Sequence, residues 1–303
     1  MRRAIVALAF SACLHSNVVE ANNIHVTNVT LQAGEFSGYT YVQFDVSWEH
    51  SWRASWLETN VTPNITITNW DAAWVFVKYR VETNGWLHAS LSTNSSEHIT
   101  PAGAVINVGL SAGVGGTNFG AGVFIHRSAE GSGPWTNMMK VRWNYPRDGV
   151  ANTDRVDVSV HAIEMVYVPQ GGFYLGDGST NTVEGNFEDG TNGAPFLVTN
   201  ESYQITLGGG SAGSLGNNNA AGMTVSDDFN DMSSQLLPAG FPKGYDPFYC
   251  MKYEVTQGEW VDFFNTLTDD QKTNRDITGF TSIDGKNSDA TVARNTVSWV
   301  SGD

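Results

Sequence analysis

Cysteine is almost missing from this chain. Among 303 residues only Cys13 and Cys250 are cysteines, which rules out a disulfide framework. Proline is scarce, at 9 against 32 glycines. With many Thr, Asn and Ser residues, that balance favours strands and turns over long helices. Basic residues are few: 16 Lys and Arg face 31 Asp and Glu, a net charge of −15. A phosphate-binding surface needs clustered cations, so nucleic acid is excluded as a partner. No histidine follows His161, which leaves Cys250 without the neighbour a reactive thiol needs. Beyond the N-terminus no apolar run approaches the length of a membrane span.

The acids are uneven. Residues 1–163 hold 12 acids and 10 bases, whereas residues 164–303 hold 19 acids and 6 bases. A soluble surface explains the excess. Asp/Asn-rich loops that bind a divalent cation are the sharper reading, and Asp177 to Asn192 is the place for one, without the spacing of a calcium hand. The seven histidines are scattered along strand-like segments, so a Cys/His metal site is not expected. His126 and His161 read as ordinary strand residues.

The first residues resemble an export signal. Arg2 and Arg3 precede the apolar run Ala4 to Leu14, and Val19-Glu20-Ala21 offers a cleavage site after Ala21. Residues 1–21 are therefore expected to be a signal peptide and the product secreted, periplasmic or on the cell surface. Acylation of Cys13 is the less favoured alternative. With the leader removed, Cys250 stands alone in the apolar run Phe248-Tyr249-Cys250-Met251 and is expected to be a buried structural thiol.

Ten Trp, ten Tyr and fifteen Phe supply ample core. Tyr39 to Trp48 alternates with period two, with Val42, Phe44, Val46 and Trp48 on the apolar face, the mark of a half-buried strand. Further strands are expected at Ile24 to Leu31, Trp74 to Val81, Trp86 to Leu91, Ala104 to Leu110, Gly122 to Arg127, Met138 to Trp143 and Val156 to Ile163. Short strands with Gly-rich polar connections predict an antiparallel β-sandwich over residues 22–163. Trp48 belongs to its core. Trp52 and Trp56 sit where no alternation is visible; they are the candidates for exposure and for contact with a glycan or a protein partner.

Residues 164–303 read differently. Tyr203 to Leu207 is a short strand, and Gly208 to Gly222 a surface loop without the Gly-Lys-Ser/Thr end of a phosphate loop. Tyr249 to Val255 is a strand. Thr256-Gln257-Gly258-Glu259 is a capping box, and Trp260, Phe263, Phe264 and Leu267 follow at helical spacing on one face. Thr268 and Gln271 cap a second, acidic helix at Asp269-Asp270.

Three segments resemble the sulfatase-modifying-factor family, which includes the formylglycine-generating enzymes. Met165-Val166-Tyr167-Val168-Pro169-Gln170-Gly171-Gly172-Phe173-Tyr174-Leu175-Gly176 resembles the opening M-V-x-I-P-G-G-x-F-x-M-G. Phe248 to Asn265 resembles F-x-I-x-K-Y-E-V-T-x-x-Q-Y-x-x-F-x-N, and Val297-Ser298-Trp299 is similar to a later V-S-W strand. The resemblance implies a mixed α/β domain over residues 164–303. Active members hold copper on a pair of cysteines and bind calcium in loops, both downstream of V-S-W. Residues 164–303 are thus expected to be the first part of such a domain, cut at the C-terminus. No catalytic residue and no cofactor are assigned within the chain, and metal ligation stays open. A non-enzymatic binding or scaffold module is the alternative. The fold class expected is mainly β with an α+β C-terminal part.

Overall fold

The computed structural model describes residues 23–33, 38–59, 64–113, 116–176, 187–190, 194–208, 211–217, 234–275 and 297. The alternation of residues 39–48 governs its first layer. Strand β2 (Thr40–Glu58) lies between β1 (His25–Ala33) and β7 (Gly131–Trp143), both antiparallel to it. From Val42 to Trp48 every second side chain of β2 points inward, and Val42, Phe44 and Val46 are fully buried. The second layer is built on β3 (Ile65–Val81). It pairs with β8 (Val156–Val168) on one edge. On the other it pairs with β6 (Asn118–Arg127), beside which runs β5 (Ala104–Ala112), and with β4 (Leu87–His88).

The two layers belong to one nine-stranded sheet. The distal half of β2, Arg53 to Glu58, pairs with the start of β3, Ile65 to Trp70, and carries the chain from one layer to the other. The faces meet in a single core. Val42, Phe44 and Trp48 of β2, with Met139 and Trp143 of β7, pack with Val75, Val77 and Tyr79 of β3 and Ile125 of β6. Interdigitated apolar faces of two antiparallel layers make the sandwich that the strand pattern predicts.

Strand β2 is longer than its visible alternation. A register shift between Trp48 and Ser51 resets which side faces inward. Past Arg53, residues 54–57 are exposed on both faces, so no apolar pattern marks the strand. Trp52 and Trp56 therefore belong to β2, although no alternation marks that part of it. The expected strand Trp86 to Leu91 is reduced to Leu87–His88, with Leu91 making isolated bridges to Gly120 and Trp143.

The boundary expected at 163/164 falls inside β8, which runs unbroken to Val168. Strand β15 (Phe248–Met251) then adds to the C-terminal end of β8, opposite Met165 to Val168. Among the described residues six short strands lie between them. They are β9 (Phe173–Leu175), β10 (Phe187–Asp189), β11 (Phe196–Val198), β12 (Ile205–Leu207), β13 (Leu215–Asn217) and β14 (Gln235–Leu237). All but β10 contribute to a satellite core. Phe196, Val198, Ile205 and Leu215 are its buried centre. Strand β13 lies in the stretch expected to be a loop. Helices α1 (Gln257–Phe264) and α2 (Asp269–Arg275) complete the chain as described. No helix among the described residues is long and apolar enough to cross a membrane. Most of the acidic loop Asp177 to Asn192 lies outside the described residues, as do Ser298 and Trp299.

Candidate functional site

Strand β15 follows the period-two rule. Tyr249 packs against Phe124 on the face of the second layer away from the core, stacked at 3.8 Å, and its hydroxyl accepts a hydrogen bond from Trp70 Nε1 at 3.2 Å. Trp70 in turn stacks on Tyr167 at 4.0 Å. Burial lifts the Tyr249 hydroxyl above the usual tyrosine range. The same alternation turns Cys250 to the opposite face from Tyr249, where its thiol is exposed. The expectation of a buried structural cysteine is therefore wrong. Being apolar, the run 248–251 suggested burial on both faces, but β15 is an edge strand with only one face covered.

Lys252, just beyond β15, enters the sandwich. Its backbone N–H donates to Glu164 O at 3.0 Å. Its ammonium group lies 3.0 Å from Asp71 Oδ2 and 3.5 Å from Glu164 Oε2. Asp71 is 0% exposed. It also accepts from the Trp52 backbone N–H at 2.8 Å, Trp48 Nε1 at 3.1 Å and Ser51 Oγ at 3.3 Å. A buried carboxylate is tolerated when it is paired and hydrogen-bonded, and Asp71 meets both conditions through residues of two distant segments.

After Lys252 the chain turns over the outer face of the second layer. Thr256 caps α1: its Oγ1 accepts from Glu259 N, and Glu259 Oε2 accepts from Thr256 N at 2.8 Å. Phe264 and Leu267 are buried. Phe263 meets Phe76 and His161 edge-on, at 6.1 and 6.2 Å between ring centroids. Between α1, β8 and the start of β1 lies a cleft of about 440 Å³. Its walls are apolar, with Ile24, Phe76, Ile163, Trp260 and Phe263, and its polar groups are His25, His161, Glu259 and Asp262. A second hollow of about 290 Å³ shares Ile163, Glu259 and Asp262 and continues to Glu254.

His161 lies flat on Phe76 at 5.1 Å and shares a hydrogen bond with Ser159 Oγ at 3.1 Å. Burial lowers its pKa below the ordinary 6.5, partly offset by the Asp262 carboxylate. Its imidazole is therefore neutral at pH 7. Lys78, across the ladder from Ser159, is buried, and burial lowers its pKa too.

Trp52 and Trp56, the two sequence candidates, stand apart from this cleft. They share a face of β2, where Trp52 is half-buried and Trp56 is 43% exposed, next to Leu57 at 57%. The cleft itself is lined by residues that sequence reasoning gave other roles. His161 read as an ordinary strand residue, and Trp260 and Phe263 as one apolar helix face. Asp262, the residue before Phe263 and about 100° from it round the helix, carried no signal.

No group of three or more His, Cys, Asp or Glu among the described residues is placed to hold a metal ion. The copper implied by the resemblance belongs to cysteines downstream of Val297-Ser298-Trp299; among the described residues Cys250 is the one cysteine, and its thiol is exposed. No protein-family model matches the chain, nor does any curated protein or solved structure.

Proposed function

We propose that residues 164–303 form the opening part of a formylglycine-generating-enzyme-like domain, carried in an exported protein on a β-sandwich whose sheet it extends. One observation supports this reading above others. The two segments with the fullest resemblance are hydrogen-bonded neighbours, Met165 to Val168 pairing antiparallel with Phe248 to Met251. Segments so far apart in sequence come together when they belong to one folding unit.

The pairing is testable with the native thiol. Cys250 stands opposite Val166, so Val166→Cys should form a disulfide with it under mild oxidation, since cross-strand partners lie within bridging distance. Tyr167→Cys, on the other face, should not. Equal crosslinking of both variants, or none in Val166→Cys, removes the structural support. As an activity, residues 1–303 should not convert a sulfatase cysteine peptide to its aldehyde, because the family's cysteine pair is not among them. A longer product of the same gene with two closely spaced cysteines should do so with copper; one without them defeats the enzymatic reading.

A second reading, a non-enzymatic secreted binding or scaffold module, rests on the hairpin arm of β2 and β3. Trp56, Leu57 and Ile65 are exposed there, an arrangement suited to contact with a glycan or a protein. Glycan-array binding that survives Trp52→Ala together with Trp56→Ala excludes the sugar version.

A further inference from the structure

We propose that the cleft between β1, β8 and α1 binds a small organic cation, an ammonium group carried on an apolar or aromatic body. At about 440 Å³ the cleft lies within the range of small-molecule sites. Its walls are apolar: Trp260 and Phe263 present rings, Phe76 lies stacked with His88 and His161, and Ile24 and Ile163 present aliphatic surface. Such walls bury an apolar body, and aromatic faces also attract a cation through their quadrupoles.

Charge selects the head group. Glu259 and Asp262 line the cleft, Glu254 lines its continuation, and neither hollow is lined by Lys or Arg. Glu164, also at the continuation, is already matched by Lys252. Asp262 differs, having no hydrogen-bond or ion-pair partner among the described residues. Glu259 is engaged through Oε2 with the helix cap. His161 adds no positive charge while neutral. The cleft is thus apolar and aromatic, its polar edge is made of the Glu259 and Asp262 carboxylates and the His25 and His161 imidazoles, and among the described residues no hydrogen-bond partner engages Asp262. An anion would be repelled by Glu259 and Asp262, an ammonium group would be attracted by both, and a neutral molecule would gain nothing from either.

Titration calorimetry on the full chain tests this with three probes of one shape: 2-phenylethylamine, 2-phenylethanol and 3-phenylpropionate. The amine should bind saturably and at least tenfold tighter than the alcohol, and the carboxylate should not bind. Asp262→Asn, at an exposed position that folding tolerates, should bring the amine down to the alcohol's affinity. Trp260→Leu should weaken amine and alcohol alike. Circular dichroism melting confirms that each variant is folded. Equal affinity for amine and alcohol, or no binding by any probe, overturns the proposal. So does amine binding unchanged in Asp262→Asn. A lysine-containing peptide binding tighter than the free amine would make the cleft a protein-docking pocket instead, and the small-ligand assignment would fall.

Discussion

Replacing Lys252 by methionine keeps the stem of the side chain and deletes the ammonium group between Asp71 and Glu164. Exposed ion pairs contribute about 0–1 kcal/mol. This one differs, because the Asp71 side chain is 0% exposed, that of Glu164 5% and that of Lys252 14%. Removing one partner of a buried pair costs about 3–5 kcal/mol, since the other charge stays buried and uncompensated. Asp71 keeps its three neutral donors, from Trp48, Ser51 and Trp52. That places the expected loss near the lower end, at about 3 kcal/mol. Asp71→Asn should cost less than a complete loss of pairing, because Lys252 retains Glu164. Urea unfolding of the full chain, followed by tryptophan fluorescence, measures both variants, and the double mutant gives their coupling. Hydrogen exchange adds a local readout: in Lys252→Met the amides of β15 should lose protection before those of β2. A loss below about 1 kcal/mol, the level of an exposed pair, or unchanged protection in β15, would refute the view that Lys252 fastens the C-terminal segment to the sandwich.

Acidification should destabilise the fold. Burial lowers the pKa values of His88, His98, His126 and His161 below 6.5. The unfolded chain therefore takes up protons at a pH where the folded chain does not, and stability is lost as pH falls from about 6.5 towards the folded values. Scanning calorimetry between pH 7.5 and pH 5 (~2.5 units spanning the ordinary histidine value) should show a falling melting temperature. His98→Gln should flatten that slope, because His98 Nδ1 accepts from Arg142 N at 3.0 Å and cannot keep that bond once protonated. Gly122→Ala should cost about 1–3 kcal/mol by overpacking, since the added Cβ would meet the Trp74 ring at 2.6 Å. Gly171→Ala, with open space around it, is the control, and urea midpoints compare the two. Thr256→Ala should cost about 1 kcal/mol through the lost cap of α1, read by the same method.

Local signals in the sequence carried much of the fold. Alternation in residues 39–48 announced the buried face of β2 because side chains in a strand point to opposite sides in turn. The capping box at Thr256 and Glu259 announced the start of α1 because both partners lie within one turn. Where the determinants were not local, no pattern in the sequence marked them. The bulge after Trp48 and the two solvent-facing sides beyond Arg53 erased the pattern that would have placed Trp52 and Trp56 in a strand. Cys250 was misjudged because burial depends on whether a neighbouring strand or helix covers a face.

The cleft was beyond sequence for the same reason. Its residues come from β1, β3, β8 and α1, each unremarkable in its own segment. Composition, short-range periodicity and capping chemistry are written residue by residue, and they sufficed to determine a mainly β chain with a capped helix near its end. Only the tertiary structure decided that β15 closes on β8, that Lys252 reaches Asp71, and that Asp262 faces an aromatic hollow. Such contacts are made by packing between distant segments, and no local spacing encodes them.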